Sequence, residues 1–333
     1  MTLSPTPAPT PDPGPNRAPT PAAPTPPIAP ALRRALHERG GKRAALMPYI
    51  TGGFPDMDTC AAVIEAAIGA GADVVELGVP FSDPVADGPV VQASSHAALQ
   101  AGVTPDDVLA LAARFAGRVP FVLLAYANTV AAYGLERFAR RAVASGVEGL
   151  VVPDLPVDEA GGLAAVAAGA GLSLVPMATP TSTDARLDMV AAAATSFIYC
   201  VAVTGVTGAR AHLGGELPGL VARLRRRTAT PLVAGFGIST PGQAAEVAAV
   251  ADGVIIGSAL IARVAEAVAG AATATAVAEE RAPAGRVATA AGSARADAAD
   301  GVAERARAGA RAAAELLGGI DAALRQTAEG ATT

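Results

Sequence analysis

The chain of 333 residues has no tryptophan, only two cysteines and an aromatic content of 3%. Cys60 and Cys200 are too few and too isolated for a disulfide framework. Each lies in an apolar stretch, so we expect two buried free thiols and a reducing compartment such as the cytoplasm. Because aromatic side chains are scarce, alanine, valine and glycine must fill most of the core.

The sequence also lacks a basic surface and a long, strongly apolar run. Its formal net charge is −5 and its pI about 5.3, whereas nucleic-acid binding needs a basic stripe. Residues 160–183 are uncharged but rich in alanine and glycine, and a membrane helix needs about 20 strongly apolar residues. The N-terminus lacks the basic segment and the apolar segment that are typical of a secretory signal. We therefore expect a soluble, cytoplasmic protein that binds neither nucleic acid nor membrane.

Two segments have a biased composition. Residues 1–30 are crowded with proline, threonine and alanine. Because proline lacks a backbone donor, they predict a disordered or polyproline-like tail. Residues 270–300 are rich in alanine, with scattered glycine, arginine and glutamate, and predict a flexible or weakly helical insertion. A final helix is expected over residues 302–325. Residues 31–333 are interpreted as a single domain.

Short apolar runs alternate with helical patterns along this domain. The eight runs are residues 45–50, 74–77, 121–125, 149–152, 172–177, 197–201, 231–235 and 253–256. Two helical patterns open with start signals, at Thr104-Pro105 and at Thr240-Pro241. Strands that are apolar on both faces and alternate with helices predict a parallel α/β sheet. An open doubly wound sheet is the alternative, but eight strands without an early G-x-G-x-x-G turn favour a closed (β/α)₈ TIM barrel.

Acidic residues interrupt the second predicted strand and the loop after it. Glu76 lies inside the apolar run, where a carboxyl must be paired, protonated or used in chemistry. A buried ion pair at the barrel rim is the structural alternative. Asp83 and Asp87 follow in a proline-rich loop that would hang over the barrel mouth, although a turn stiffened by its own aspartates is equally compatible.

Glycines follow the last two predicted strands. Gly235 and Gly237 end the seventh, and Gly257 with Ser258 ends the eighth and opens a helix. Barrels commonly bind phosphate at these loops, because backbone N–H groups at a helix start point at the anion and glycine allows close approach. Simple tight turns are the structural alternative. Residues 204–208 after the sixth strand could form another phosphate turn or a mobile lid.

The sequence does not indicate a metal site or a nucleophilic catalytic arrangement. The three histidines, His37, His96 and His212, share no metal-ligand spacing, and no Ser-His-Asp or Cys-His arrangement is legible. We therefore expect no metal.

The segment from residue 76 to 89, E-L-G-V-P-F-S-D-P-V-A-D-G-P, resembles the signature of tryptophan synthase α subunits. Supporting motifs lie at residues 48–53, 126–128, 153–156, 203–208, 235–237 and 257–258. The resemblance covers residues 31–268 and resumes in the final helix. It implies a (β/α)₈ barrel, as the alternation does independently.

The resemblance implies roles for individual residues. Glu76 matches the family's acid–base glutamate and Asp87 its catalytic loop aspartate, while Asp83 matches a loop aspartate that faces the β subunit. Tyr49, Leu124 and Tyr126 match the walls of the indole pocket. Tyr199 matches a tyrosine near the active site, and Thr207 matches a lid threonine that helps to position the loop aspartate. The positions around the substrate phosphate are matched by Gly208, Gly237, Gly257 and Ser258. Two departures are Tyr49, where many relatives carry phenylalanine, and Val203, where some carry arginine.

The resemblance implies a lyase of L-tryptophan biosynthesis. The expected reaction is retro-aldol cleavage of indole-3-glycerol phosphate to indole and glyceraldehyde 3-phosphate. The family works as an α₂β₂ heterotetramer with the tryptophan synthase β subunit, which carries the pyridoxal phosphate, so no cofactor is expected on this chain. The alternatives are another phosphosugar-binding TIM-barrel isomerase, or a catalytically silent partner that activates the β subunit.

Overall fold

The structure is a computed structural model that describes residues 29–37, 43–201, 216–235, 237–280 and 290–330. Short strands alternate with helices along these residues. The strands are β1 Ala45–Thr51, β2 Val75–Gly78, β3 Phe121–Leu124, β4 Val147–Val151, β5 Ser173–Val175, β6 Met177–Ala178, β7 Ile198–Val201, β8 Leu232–Gly235 and β9 Gly253–Ile256.

The helices cover the outside of the sheet. They are α1 Pro30–His37, α2 Met57–Gly69, α3 Pro89–Gln100, α4 Pro105–Ala113, α5 Ala127–Tyr133, α6 Leu135–Ala144, α7 Gly161–Ala170, α8 Asp184–Ala193, α9 Glu216–Arg225, α10 Pro241–Ala248, α11 Ser258–Glu280 and α12 Ala290–Gly330. The predicted starts at Thr104 and Thr240 are both capping boxes with proline in the first turn, as the sequence indicated.

The strands form one parallel sheet in the order β5-β4-β3-β2-β1-β9-β8-β7-β6. Its two ends, β5 and β6, are separated in the chain only by Pro176, so the sheet returns on itself and closes a barrel. Proline cannot donate a ladder hydrogen bond, which explains why the predicted strand over residues 172–177 is divided. The Pro176 carbonyl oxygen still accepts from the Tyr199 backbone N–H at 3.0 Å. The expected TIM-like barrel is therefore confirmed.

Successive side chains of each strand point to opposite faces of the sheet, and they form two apolar layers. On β1, Leu46 and Ile50 face the helices, whereas Met47 and Tyr49 face the barrel interior. The outer layer is the larger one and lies between the sheet and the helices. The inner layer fills the barrel lumen.

Helix α1 closes the N-terminal end of the barrel. Leu32 and Leu36 are buried against the inner layer, and the Leu32 backbone N–H donates to a Glu148 carboxylate oxygen at 2.7 Å, near the start of β4. The expected tail boundary at residue 30 is therefore slightly late, because Ala29 is already buried and Pro30 begins the helix. Residues 1–28 lie outside the described residues.

The last two helices enter the range in which an insertion was expected. Helix α11 continues to Glu280 and α12 begins at Ala290, so the final helix is longer than the predicted residues 302–325. Residues 281–289 lie outside the described residues. Within the described residues, no helix is both long enough and apolar enough to cross a membrane.

Candidate active site

Glu76 points into the barrel from the second position of β2. It is in register with Tyr49 on β1 and Val122 on β3, and both of these face the interior. Its side chain is fully buried, and neither carboxyl oxygen has a hydrogen-bond partner among the described residues. Burial, assisted by the charge of Asp87, raises the pKa of Glu76 to about 8. Glu76 therefore keeps its proton at neutral pH and can donate it.

Asp87 lies in the loop between β2 and α3. The loop is folded by its own backbone, since the Asp87 N–H donates to the Pro84 carbonyl oxygen at 3.0 Å and the Gln92 amide donates to the Asp87 carbonyl oxygen at 2.9 Å. Burial raises the pKa of Asp87 to about 6, and a hydrogen bond from the Tyr126 hydroxyl limits the rise. At neutral pH Asp87 is therefore mostly an anion, next to a protonated Glu76.

Tyr126 holds this loop against the barrel. It precedes α5 at the end of β3, and its ring stacks on Phe81 with centroids 5.0 Å apart. Its hydroxyl oxygen accepts from the Ala86 backbone N–H at 3.1 Å and the hydroxyl also bonds the Asp87 carboxylate. Phe81 was part of the recognised motif, but its stacking role was not predicted.

The side chains of Tyr49 and Tyr199 lie in the lumen over glycines on neighbouring strands. A Cβ atom added to Gly78 would lie 2.1 Å from the Tyr49 hydroxyl oxygen, and one added to Gly235 would lie 2.5 Å from that of Tyr199. The missing side chains therefore create the space that the two rings occupy. Burial raises the pKa of both phenols well above the usual value. Leu124, at the end of β3, belongs to the same inner layer.

The glycine turns lie at the same end of the barrel. Gly257 follows β9, and an added Cβ there would be 3.5 Å from the Tyr49 ring. Ser258 begins α11 and is exposed, and Gly237 has a φ of +79° after β8. The first turn of α11, whose leading N–H groups have no partner inside the helix, thus begins beside the pocket wall. The expected contributors Thr207 and Gly208, like Val203, lie outside the described residues.

Comparison with known proteins identifies the family. A family model described as the tryptophan synthase alpha chain matches residues 36–291. The chain belongs to this family. It is therefore a lyase of tryptophan biosynthesis that cleaves indole-3-glycerol phosphate, as the resemblance implied. The alternative of a phosphosugar isomerase is not supported.

Individual relatives agree with the family assignment. The chain is 50% identical over 229 residues to the tryptophan synthase alpha chain of Geobacter sp. strain M21, covering 68% of this chain and 85% of that protein. The alpha chain of Pelobacter propionicus is 49% identical over 219 residues, covering 65% and 82% respectively.

Solved structures of the family share the fold. The structure of Mycobacterium tuberculosis tryptophan synthase superposes with a TM-score of 0.70 at 31% identity, covering 88% of this chain and 98% of that chain. Tryptophan synthase subunit alpha from Legionella pneumophila also gives a TM-score of 0.70, at 29% identity, with coverage of 90% and 98%.

Asp83 lies on the outside of the loop between β2 and α3. It is exposed and accepts a hydrogen bond from the Ser82 hydroxyl at 2.5 Å. Val85, two residues later, is 81% exposed. The loop thus places Asp87 inward, whereas Asp83 and Val85 face away from the barrel.

A separate cavity of about 450 Å³ is lined by residues of α7 and α8 and of the loops that follow β4 and β6. Residues 153–156, one of the motifs that carry the resemblance, contribute to its lining, but none of the expected site residues does. It is therefore distinct from the acid pair. In the part of the chain that the structure describes, no group of three or more histidine, cysteine or acidic residues could hold a metal ion.

Proposed function

We propose that Glu76 performs the proton transfers of the cleavage reaction and that Asp87 stabilises the developing positive charge. Retro-aldol cleavage requires a proton on C3 of the indole ring, which creates an electron-accepting indolenine cation. The side-chain hydroxyl then loses its proton as the carbon–carbon bond breaks and the aldehyde forms. The observation that carries the proposal is the pairing of a buried protonated carboxyl with a neighbouring carboxylate in one lumen.

The environment of Glu76 suits a group that gives and takes a proton near neutral pH. Its carboxyl oxygens have no partner among the described residues, so both are free to address the substrate. A pKa of about 8 brings the proton affinity of the carboxyl near the operating pH, where general acid–base catalysis is most effective.

Asp87 would accept the indole N–H. Its pKa of about 6 leaves it largely ionised at pH 7, and the Tyr126 hydroxyl holds one side of the carboxylate. A fixed anion beside the ring nitrogen stabilises the cationic intermediate without reorganisation of the site. Tyr49, Leu124, Tyr126 and Tyr199 would form the apolar walls around the ring.

The phosphate would bind at the glycine turns. Gly237, Gly257 and Ser258 combine close backbone approach with the N-terminus of α11, which favours an anion. Thr207 and Gly208 are proposed to complete this side on the resemblance alone. Binding at the far end of the substrate fixes the reacting carbon relative to the two acids.

We further propose that the chain works in an α₂β₂ complex with a tryptophan synthase β subunit. Structures of the Mycobacterium tuberculosis relative are described as tryptophan synthase, consistent with such a partner. The exposed Asp83 and Val85 lie on the outer side of the loop that carries Asp87 and would face that subunit. Pyridoxal phosphate would reside on the β subunit. The biosynthetic role and the buried free thiols of Cys60 and Cys200 support a cytoplasmic location.

The experiment that tests the acid pair is an indole-release assay with indole-3-glycerol phosphate, with and without β subunit. We expect Glu76→Gln to lower kcat by about 10³-fold while equilibrium dialysis shows retained substrate binding, because the amide cannot transfer the proton. Near-normal turnover of this variant would reject the assignment. Turnover of the wild-type chain alone, even if slow, excludes a catalytically silent partner.

The pH profile provides a second test. Activity should rise as Asp87 ionises, near its pKa of about 6, and fall as Glu76 loses its proton, near its pKa of about 8. A profile that keeps rising beyond pH 9 would contradict a protonated Glu76.

A further inference from the structure

Helix α5 begins beside the candidate active site without a cap of its own. It spans only the 7 residues from Ala127 to Tyr133, and so short a helix depends on contacts with the rest of the fold. Its N-cap residue is Tyr126, whose side chain makes no capping hydrogen bond. The first N–H groups of α5 must therefore find their acceptors elsewhere in the fold.

The loop after β4 supplies one of these acceptors. A carboxylate oxygen of Asp154 accepts from the Ala127 backbone N–H at 2.9 Å. The strand register explains this contact, because Leu124 on β3 pairs with Val151 on β4, and the Ala125 N–H donates to the Val151 carbonyl oxygen at 3.0 Å. The two loops that leave this pair of neighbouring strands therefore run side by side. A carboxylate at a helix start is also favoured by the helix dipole.

The residue next to this cap is the one that holds the loop of Asp87. Tyr126 directly precedes the capped N–H, so a shift of the first turn of α5 moves Tyr126 as well. Its hydroxyl oxygen accepts from the Ala86 backbone N–H at 3.1 Å, and its ring stacks on that of Phe81. Ala86 is the neighbour of Asp87 in the chain. The contacts thus form a continuous path from Asp154 to the backbone that carries Asp87.

We propose that Asp154 is a positioning residue for the cleavage reaction, because it fixes the start of α5, from which Tyr126 holds the loop that carries Asp87. Asp154 is exposed and belongs to the motif over residues 153–156, for which the sequence predicted no role. The proposal rests on the proposed function of Asp87. Since that function concerns a charge that develops during the reaction, a displaced Asp87 should lower kcat more than it raises KM.

The test is the indole-release assay on the full chain without β subunit, so that contacts with a partner do not contribute. Asp154→Ala should lower kcat by about 3–10-fold with little change in KM, because small displacements of a reacting group are costly. Asp154→Asn should keep kcat within about twofold of wild type, since asparagine caps a helix as well as aspartate does. Circular dichroism verifies that both variants are folded. Wild-type kcat in D154A would overturn the proposal, as would equal losses in D154A and D154N.

A double-mutant cycle distinguishes positioning through Tyr126 from a general structural effect. Tyr126→Phe removes the hydroxyl that accepts from Ala86. In this background D154A should lower kcat by less than about twofold, because the path to Asp87 is already broken. A further loss as large as that in the wild-type background would overturn the proposal. Asp158→Ala removes another exposed carboxylate of the same loop, paired with Arg186 at 3.0 Å, and is the matched control that should leave kcat unchanged.

A second cycle removes the donor in place of the acceptor. Ala127→Pro deletes the capped N–H, and proline is compatible with the first position of a helix and with the extended backbone of Tyr126 before it. Adding D154A to A127P should change kcat by less than about twofold, and a larger loss would count against the cap.

The Asp87→Asn variant separates this proposal from the proposed function. Wild-type kcat in D87N would indicate that the function proposed for Asp87 fails. A strongly impaired D87N, together with a D154A loss that persists in Y126F, would reject only the positioning role of Asp154.

Discussion

Buried ionisable side chains at the two ends of the barrel differ in whether they have a partner. At the N-terminal end, the Arg43 guanidinium lies 2.8 Å from carboxylate oxygens of both Asp73 and Asp321, with the Arg43 and Asp73 side chains 3% and 2% exposed. Asp73 also accepts from the Leu46 backbone N–H at 2.8 Å. At the C-terminal end, Glu76 is equally buried but has no hydrogen-bond partner among the described residues.

This difference separates stability from chemistry. The Arg43 cluster ties the starts of β1 and β2 to α12, so its charges are matched within the fold. The Glu76 carboxyl has no such partner among the described residues, and its burial raises its pKa. This arrangement suits a barrel whose site lies at the C-terminal ends of the strands. Buried charge is matched at the N-terminal end and is left unmatched at the C-terminal end.

The largest effect should come from breaking the matched end. Arg43→Met removes the cation that lies against both the buried Asp73 and the partly buried Asp321, which keeps Arg325, so we expect a loss of about 3–5 kcal/mol in the free energy of unfolding with kcat/KM nearly unchanged. Urea denaturation and the indole assay measure the two quantities. The control Arg118→Met removes a half-exposed pair with Glu65, 2.6 Å apart, and should leave the free energy of unfolding nearly unchanged. Equal losses of unfolding free energy in the two variants would show that the Arg43 cluster stabilises the fold no more than an exposed ion pair does.

The opposite pattern is expected at the upper end. Asp87→Asn should lower kcat by about 10²–10³-fold, because the neutral amide cannot stabilise the indolenine cation, while stability stays within about 1 kcal/mol of wild type. Asp158→Asn, which removes an exposed carboxylate paired with Arg186 at 3.0 Å, is the matched control. Comparable activity in the two variants would show that Asp87 is not needed for chemistry.

The pH dependence of the free energy of unfolding should reveal the unpaired carboxyl of Glu76. The unfolded chain releases the Glu76 proton near the ordinary value of 4.5, whereas the folded chain holds it to about pH 8. The free energy of unfolding should therefore fall as pH rises from 4.5 to 8. Glu76→Gln should remove this decline and be more stable at pH 7, on the order of 2 kcal/mol. Parallel stability curves for the two proteins would contradict it.

The smallest effect concerns a stabilising contact outside both ends. Thr104 caps α4, and its side chain and that of Asp107 bond reciprocally to backbone N–H groups. Thr104→Ala should lower the free energy of unfolding by about 1 kcal/mol. Thr273→Ala, within α11 and exposed, should be neutral or slightly stabilising, because alanine favours helix.

The strands and several site residues could be predicted because their signals are local. Each apolar run lies within about two residues of a strand, and the acid in β2 stands out against its apolar neighbours. The division at Pro176 was missed, since an apolar run does not show which residue interrupts a ladder. The helical start at Pro30 was missed because the prolines of residues 1–30 were interpreted only as a mark of disorder.

Contacts between distant residues could not be predicted from composition or spacing. The bond between Tyr126 and Asp87 joins two loops, and the contact of Thr51 with Ser94 joins a strand to a helix 43 positions away. The two partners of Arg43 are Asp73 and Asp321, which lie 30 and 278 positions away in the chain. Only the closed barrel brings these groups together.

The most direct test of the account is the protonation state of Glu76 at neutral pH. Infrared difference spectra between the wild-type chain and Glu76→Gln should show, at pH 7, the carbonyl band of one protonated carboxylic acid in the wild type, which disappears as the pH passes about 8. A carboxylate band in its place at pH 7 would contradict the account.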